Sequence, residues 1–266
     1  MAPTAAVAST PRVATGAGNR VFVVWRDNRN GMNTDIWFRS SADGGATWGA
    51  EVRLDTDGAG THASEEPSLA ADAEGNVYVA WQDVRAGSSY DIYFNRSADH
   101  GATWLPTDAR VDTDTFGQDA VRPIALALPG RVAVVVWEDR RFGLPTPYAN
   151  RGTEAGTRWM AADVPVPAGR PGQFHTYNLA ASASGSLVFV VWADNRTPGG
   201  LDIWGNYSLD GGASYQLADV RFDTTGAGTS NSEVPSVLVT GGRVHVVWLD
   251  RRADGVTGDI YYRGMR

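Results

Sequence analysis

The residues best suited to chemistry are five pairs of Asp and Arg that recur along the chain. Each pair belongs to a W-x-D-x-R segment that follows a run of apolar residues. Alternate side chains of a strand point to the same side, so each Asp can meet its Arg. One interpretation is a structural ion pair that ties neighbouring sheets together, and the other is a ring of guanidinium groups that grips an anionic ligand. Identical placement favours the structural pair, because one ligand needs different groups around it. The pairs are Asp27 and Arg29, Asp83 and Arg85, Asp139 and Arg141, Asp194 and Arg196, and Asp250 and Arg252.

Polar residues that differ between the copies are better candidates for a ligand site. They lie just before the segments that we expect to form inner strands. Connections held at one end of a rigid scaffold commonly carry function, so we expect these side chains to converge on the mouth of a central channel. The alternative is that they only solvate a funnel. The candidate ligand-binding residues are Glu65, Glu66, Asp119, Arg122, His175, Tyr177 and Glu233.

One segment, DTDGAGTHASEE, matches part of a calcium-loop pattern. Asp55, Asp57 and Glu66 stand at its first, third and twelfth positions, but Ala59 stands at the fifth, where a ligand is required. The missing ligand favours a structural turn. We therefore expect no cofactor, and calcium held by Asp55, Asp57 and Glu66 is the alternative.

Composition excludes several classes of function. The 266 residues include no Cys, and all 23 basic residues are Arg, which excludes thiol nucleophiles, disulfides and lysine Schiff bases. A net charge of -7 argues against nucleic acid as a partner, because such binders usually present a basic face. The apolar runs are too short to span a membrane.

The W-x-D-x-R segments recur at a regular interval. Their Trp residues are Trp25, Trp81, Trp137, Trp192 and Trp248, so the spacings are 56, 56, 55 and 56 residues. Each repeat contains four short segments of strand type separated by turn residues, and none has helical periodicity. The sequence therefore predicts an all-β protein, a five-bladed β-propeller of four-stranded antiparallel blades that forms one domain over residues 1–266. The inner strands are predicted to begin near Pro11, Pro67, Pro123, Asn178 and Pro235. The four strands of the second repeat are predicted to cover 67–72, 77–83, 91–97 and 102–111.

The last repeat ends after its third strand segment, DIYYRGMR. We therefore predict that the fifth blade lacks its outer strand. An unpaired edge strand can pair with another chain, so self-association through the fifth blade is one expected interaction. The ten Trp residues all fall within the repeat, and we expect most of them to lie in the core.

A turn of the form S-x-D-x-G follows the third strand segment in three repeats and leads to an aromatic residue. Asp and Ser cap turns, and Gly tolerates positive φ. The copies are Ser41, Asp43, Gly45 and Trp48; Ser97, Asp99, Gly101 and Trp104; and Ser208, Asp210, Gly212 and Tyr215. This motif resembles the Asp box, or bacterial neuraminidase repeat, of sialidases and related propellers. The resemblance covers nearly the whole chain and implies that these residues support the fold.

The resemblance also implies which residues could be catalytic. Sialidases hold the carboxylate of their substrate with three arginines and use a Tyr with a Glu partner as nucleophile. The candidates here are Tyr177, Glu233 and Glu65, but no Arg precedes the inner strands in the register of the family motif, and Glu65 or Glu233 would repel an acidic sugar.

Three functions remain open at this point. The first is a non-catalytic module that binds a carbohydrate or another small polar ligand. The second is a glycoside hydrolase, either sialidase-like or using a pair of carboxylates on a neutral glycoside. The third is a protein-interaction scaffold that assembles through its open blade. We expect a secreted or cell-surface bacterial protein whose signal peptide is absent from this sequence.

Overall fold

The computed structural model describes residues 6–114 and 117–266. Within these residues the strands form five antiparallel sheets, one for each sequence repeat. Sheets 1, 2 and 4 contain four strands, sheet 3 contains five, and sheet 5 contains three. The all-β class, the number of sheets and the three strands of the last sheet agree with the prediction.

Neighbouring strands of a sheet are consecutive in the chain, except that β13 pairs with β11 beside β12. Sheet 1 contains β1 (Ala8–Gly16), β2 (Arg20–Asp27), β3 (Asp35–Ser41) and β4 (Val52–Arg53), and sheet 2 contains β5 (Ser64–Ala71), β6 (Val77–Asp83), β7 (Asp91–Ser97) and β8 (Ala109–Arg110). Sheet 3 contains β9 (Ala120–Leu128), β10 (Val132–Asp139), β11 (Thr146–Thr153), β12 (Arg158–Trp159) and β13 (Val164–Pro165). Sheet 4 contains β14 (Thr176–Ser184), β15 (Leu187–Asp194), β16 (Asp202–Ser208) and β17 (Val220–Arg221), and sheet 5 contains β18 (Ser232–Thr240), β19 (Arg243–Asp250) and β20 (Asp259–Met265).

The outer strands are shorter than the sequence predicted. In sheet 2 the strand expected over residues 102–111 is reduced to β8; Pro106, within that span, has no N–H to donate to a neighbouring strand. In sheet 3 two short strands share the outer position, since Gly152 pairs with Trp159 and Tyr148 pairs with Pro165. The prediction of four strands is therefore wrong for sheet 3.

The inner strands begin before the predicted positions. The register shifts between Glu65 and Ser68 in sheet 2, and the residue between them, Glu66, has a φ of 48°. This bulge places Pro67 within the strand without breaking it. Glu65, Glu66, Arg122, Tyr177 and Glu233 therefore lie inside strands, whereas Asp119 and His175 immediately precede them.

The chain divides into two compact units. Unit 1 contains residues up to Val135 together with Gly152–Ala162, and unit 2 contains Val136–Arg151 and Asp163–Arg266. Each has its own apolar core. The single domain over residues 1–266 stays a prediction.

The core of unit 1 lies between sheets 1 and 2. Phe22, Val24, Ile36 and Phe38 of sheet 1 pack against one face of sheet 2; the residues of that face are Leu69, Val77, Val79, Trp81, Tyr93 and Trp104. In unit 2 the same arrangement joins sheets 4 and 5. Its members are Phe189, Val191, Ile203 and Phe222 of sheet 4, and Val237, Val239, Val244, Val246 and Trp248 of sheet 5.

The turns that follow the third strands are held by recurring hydrogen bonds. Ser97 Oγ donates to the carboxylate of Asp99 at 2.7 Å and accepts from the N–H of Gly101 at 2.8 Å. Asp99 also accepts from the hydroxyl of Thr103 at 2.6 Å and from its N–H at 2.8 Å. The Thr103 hydroxyl is the main cause that lowers the pKa of Asp99 to about 2. The same bonds recur in the turns of Ser41 and Asp43 and of Ser208 and Asp210.

No helix among the described residues is long and apolar enough to cross a membrane.

Candidate functional site

The W-x-D-x-R pairs form closed hydrogen-bond groups within their own sheets. Asp83 accepts from the guanidinium of Arg85 at 2.5 Å, from its N–H at 2.8 Å, and from the Trp81 indole and the Ser64 hydroxyl. Burial opposes ionisation of Asp83, but the bonds and charge of Arg85 outweigh it, so the pKa of Asp83 lies below its ordinary value. The other four pairs repeat the contact between carboxylate and guanidinium.

The guanidinium groups of these pairs are already engaged. Arg85 also contacts Asp108 at 2.8 Å and stacks on the ring of Tyr93, with its guanidinium carbon 4.1 Å from the ring centroid. The guanidinium groups of the other four arginines also stack on an aromatic ring; the rings are Trp37 for Arg29, Tyr148 for Arg141, Trp204 for Arg196 and Tyr261 for Arg252. Each of the four also contacts one further acceptor; the acceptors are Glu51 for Arg29, Asp163 for Arg141, Asp219 for Arg196 and the Thr224 hydroxyl for Arg252. A second carboxylate or hydroxyl and an aromatic face leave little of each guanidinium for an anionic ligand. These contacts support the structural interpretation of the pairs.

In sheets 1, 2, 4 and 5, one position of the inner strand varies, and it pairs with the variable residue of the W-x-D segment. In sheet 2 Glu65 pairs with Gln82, and in sheet 5 Glu233 pairs with Leu249. Sheet 1 pairs Ser9 with Arg26, and sheet 4 pairs Tyr177 with Ala193. Tyr177 is therefore equivalent to Glu65 and Glu233. The alignment of the sequences placed this repeat one residue out of register, because Leu179 stands where the other repeats have Pro. Thr176, aligned with Glu65 by sequence, is instead equivalent to Ser64.

In unit 1 the variable residues form a polar group that we name the Glu65 cluster, consisting of Ser9, Arg26, Glu65, Tyr90 and Asp119. The Glu65 carboxylate contacts Arg26 at 2.8 Å and accepts from the Tyr90 hydroxyl at 3.0 Å. Arg26 Nε donates to Ser9 Oγ at 2.8 Å, and the N–H of Tyr90 donates to Asp119 at 3.3 Å. The side chains of Arg26 and Glu65 are each about a quarter exposed, at 25% and 26%. The cluster is therefore preorganised and open to solvent.

The Tyr90 phenol keeps its proton at neutral pH. Burial, and then the hydrogen bond to Glu65 and the charge of Glu65, raise the pKa of Tyr90 to about 12. The neutral phenol therefore donates its hydrogen bond to the Glu65 carboxylate. Such a pair can orient sugar hydroxyls, but its tyrosine is a poor nucleophile.

The other candidates of unit 1 lie near this group. The N–H of Arg122 donates to Gln82 at 2.9 Å. Glu66 is 3.8 Å from Arg12, and both side chains are partly exposed.

In unit 2 the candidates form an aromatic pair and a weak ion pair. The rings of His175 and Tyr177 stack with centroids 4.1 Å apart, and the N–H of His175 donates to Asn195 at 3.0 Å. Glu233 is 3.9 Å from Arg251.

Of the three residues that the calcium alternative names, two lie together in the structure. Asp55 and Asp57 lie together with Asp35, and Glu66 is not among them. The guanidinium of Arg53 lies among the three carboxylates, 2.6 Å from Asp55. Sheet 2 repeats the arrangement with Arg110 among Asp91, Asp112 and Asp114. An arginine therefore supplies positive charge where a calcium ion would lie.

Sequence reasoning missed Arg26 and Tyr90. Both stand at positions that differ between repeats: Arg26 is the variable residue of W-x-D, and Tyr90 precedes the Asp-Ile of its repeat, where other copies have Thr34, Leu201 or Gly258. The same search for departures from the repeat that selected Glu65 could have found them.

No protein-family model matches the chain, and no curated protein matches its sequence. Solved structures do match. A protein of unknown function from Dyadobacter fermentans has a TM-score of 0.61 and 14% identity, over 96% of this chain and 82% of that one. A Hadza microbial sialidase has a TM-score of 0.62 and 14% identity, over 97% of this chain and 56% of that one. The α-L-arabinanase of Penicillium chrysogenum, in a complex with arabinobiose, has a TM-score of 0.61 and 16% identity, over 94% and 79%.

The likeness establishes the fold. The predicted class, a five-bladed β-propeller with a three-stranded last blade, is confirmed, and the fold is shared with carbohydrate-active enzymes. At these identities the structures say nothing about which residues act, because one fold hosts many functions.

Proposed function

We propose that this chain is a sialidase-like Asp-box propeller that binds a carbohydrate without cleaving it, through the Glu65 cluster. The observation that carries the proposal is the contact of one partly exposed carboxylate with both Arg26 and Tyr90. A sugar hydroxyl both donates and accepts, and a fixed set of carboxylate, guanidinium and phenol groups offers partners for both roles. Two of the similar folds belong to a sialidase and to an arabinanase that was captured with arabinobiose.

Binding is favoured over cleavage by the protonation of the cluster. A tyrosine nucleophile must lose its proton, and the pKa of about 12 for Tyr90 opposes that loss near neutral pH.

A screen on an array of neutral and acidic glycans, followed by calorimetry with arabinobiose and with the best array ligand, tests the proposal. We expect Glu65→Gln and Tyr90→Phe each to weaken binding about 10- to 100-fold, the usual effect of losing a hydrogen bond to a charged group. Glu74→Gln changes an exposed carboxylate in the turn between β5 and β6 and should leave affinity unchanged. Absence of binding across the array would overturn the proposal.

A glycoside hydrolase is the second candidate, and the contact between Tyr90 and Glu65 is the observation that favours it. Incubation with fluorogenic sialosides and neutral glycosides distinguishes the two functions. Turnover by the wild type that Tyr90→Phe abolishes would replace binding with catalysis.

A further inference from the structure

Glu65 and Glu233 stand at the same position of their inner strands but have different partners. In unit 1 the preceding sheet supplies Arg26, whose guanidinium contacts Glu65 at 2.8 Å. The Nε of Arg26 donates to Ser9 Oγ at 2.8 Å, and the Tyr90 hydroxyl gives Glu65 a second hydrogen bond. A single guanidinium therefore bridges the inner strands of sheets 1 and 2.

Unit 2 has a small residue at the position of this guanidinium. Sheet 1 pairs Ser9 with Arg26. At the same two positions sheet 4 pairs Tyr177 with Ala193. A methyl group therefore stands in sheet 4 where sheet 1 has an arginine side chain.

The inner strands of sheets 4 and 5 lie side by side in unit 2. The N–H of Val239 in β18 donates to Ser182 Oγ in β14 at 3.0 Å. Tyr177 and Glu233 are the second residues of these two strands, and Tyr177 packs against the core that joins the two sheets. Tyr177 and Glu233 therefore flank the position equivalent to that of the bridging guanidinium in unit 1.

Glu233 is a weakly paired carboxylate. Its side chain is 29% exposed, and Gly258 stands where Tyr90 provides a hydrogen bond in sheet 2. Among the described residues its charged partner is Arg251, at 3.9 Å, whose guanidinium also donates to the Val256 carbonyl. A partly exposed ion pair of this length contributes little to stability, so a ligand cation can compete with Arg251 for the carboxylate.

An aromatic pair lies at the same end of the inner strand. The rings of His175 and Tyr177 stack with centroids 4.1 Å apart and 14° between their planes, and both residues are partly exposed. This chain already packs guanidinium groups on aromatic faces in every W-x-D-x-R pair, with the guanidinium carbon 3.7 to 4.2 Å from a ring centroid. An aromatic face and a carboxylate together attract a guanidinium more strongly than either does alone.

We propose that Tyr177 and Glu233 bind a guanidinium compound, which lies against the Glu233 carboxylate and the ring of Tyr177. The ligand supplies in unit 2 the group that Arg26 supplies in unit 1. A guanidinium suits these two partners better than an ammonium, because it is planar, stacks on aromatic rings and donates two parallel hydrogen bonds to a carboxylate. Its source is either a small molecule or an arginine of a peptide. The proposal concerns residues outside the Glu65 cluster and does not depend on glycan binding there.

An NMR titration with ethylguanidinium tests the proposal, with the amide signals of Tyr177 and Glu233 as the readout. We expect saturable shifts at concentrations that leave the protein folded, and none from propionamide, a neutral molecule of similar shape. Glu233→Gln should weaken binding about 10- to 100-fold, and Tyr177→Leu about 3- to 10-fold. Glu74→Gln removes an exposed carboxylate from unit 1 and should bind like the wild type.

Arg251→Gln gives the sharpest result. It removes the competing guanidinium, so ethylguanidinium should bind about 2- to 5-fold more tightly, a gain that general loss of structure cannot produce. The proposal is overturned if ethylguanidinium causes no saturable shift in the wild type, if Glu233→Gln binds as tightly as the wild type, or if Arg251→Gln gains nothing.

Arginine with an acetylated amino group and an amidated carboxyl group distinguishes the two sources of the guanidinium. Tighter binding of this blocked arginine than of ethylguanidinium indicates a peptide as the ligand. Equal or weaker binding indicates a small molecule.

Discussion

At the scale of single residues, carboxylates hold this fold together. Asp250 shows the principle in sheet 5. Burial alone would raise its pKa, but hydrogen bonds from Arg252, Ser232 and Trp248 outweigh that effect and lower the pKa of Asp250 to about 2. A carboxyl whose pKa is lower in the folded state than its ordinary 3.8 stabilises the fold fully above about pH 4, and that contribution is lost as pH falls toward 2.

Acid should therefore destabilise the protein between about pH 4 and pH 2. Urea unfolding at several pH values should show a free energy of unfolding that falls across this window. In Asp250→Asn the free energy should be lower at pH 7 and should decline less steeply with acid, since one titrating carboxyl is gone. Equal slopes for the two proteins would contradict the assignment.

Asp83 is a buried carboxylate that accepts hydrogen bonds from several side chains. It accepts four hydrogen bonds. Its loss leaves the largely buried Arg85 with Asp108 at 2.8 Å and the more distant Asp57 at 4.0 Å as acidic partners. Removal of one partner of a buried pair costs about 3–5 kcal/mol. We expect Asp83→Ala to lower the free energy of unfolding by that amount in urea titrations. Asp254→Ala, which removes an exposed carboxylate from the turn between β19 and β20, should change it far less.

At the scale of strands and turns, the close approach of neighbouring sheets depends on glycine. Gly101 has a φ of +86°, and an added Cβ would come within 2.5 Å of the Phe38 ring. Gly101→Ala should therefore cost about 2–5 kcal/mol, the sum of left-handed strain and overpacking. Gly45→Ala has the same strain at φ +92° but open space, so it should cost about 1–2 kcal/mol. Thermal unfolding of the two variants measures the difference, and equal losses would show that the ring contact does not matter.

The sequence predicted the two middle strands of the second repeat with the bounds that the structure has, Val77–Asp83 and Asp91–Ser97. The spacing of the W-x-D-x-R segments gave the sheets and their middle strands, because burial enforces the same apolar residues in each copy. The first residues of the inner strands were predicted too late in the chain. A proline such as Pro67 indicates the start of a strand, whereas the bulge at Glu66 allows the strand to continue through it. The Glu65 cluster was found only in part. Its contacts join Arg26 of β2, Glu65 of β5 and Tyr90, the residue before β7, and the spacing of residues in the sequence does not show that these three lie close together.

At the scale of the whole molecule, charge should select among glycans. The net charge is -7, and the Glu65 cluster contains two carboxylates, Glu65 and Asp119, and one guanidinium, Arg26. We therefore expect neutral oligosaccharides to bind more tightly than sialylated or sulfated ones. The affinity for any acidic glycan should rise as salt is added, because screening weakens repulsion. Calorimetry at 20 and 200 mM salt measures this, and a preference for acidic glycans at low salt would contradict it.

The register of the sheets makes this scaffold suitable for protein engineering. Four sheets each place two variable side chains opposite one another, Ser9 and Arg26, Glu65 and Gln82, Tyr177 and Ala193, Glu233 and Leu249. The adjacent Ser64 donates a hydrogen bond of 2.7 Å to Asp83, and neither residue belongs to the variable pair. Randomising these eight codons would give a library that retains the scaffold while its specificity changes.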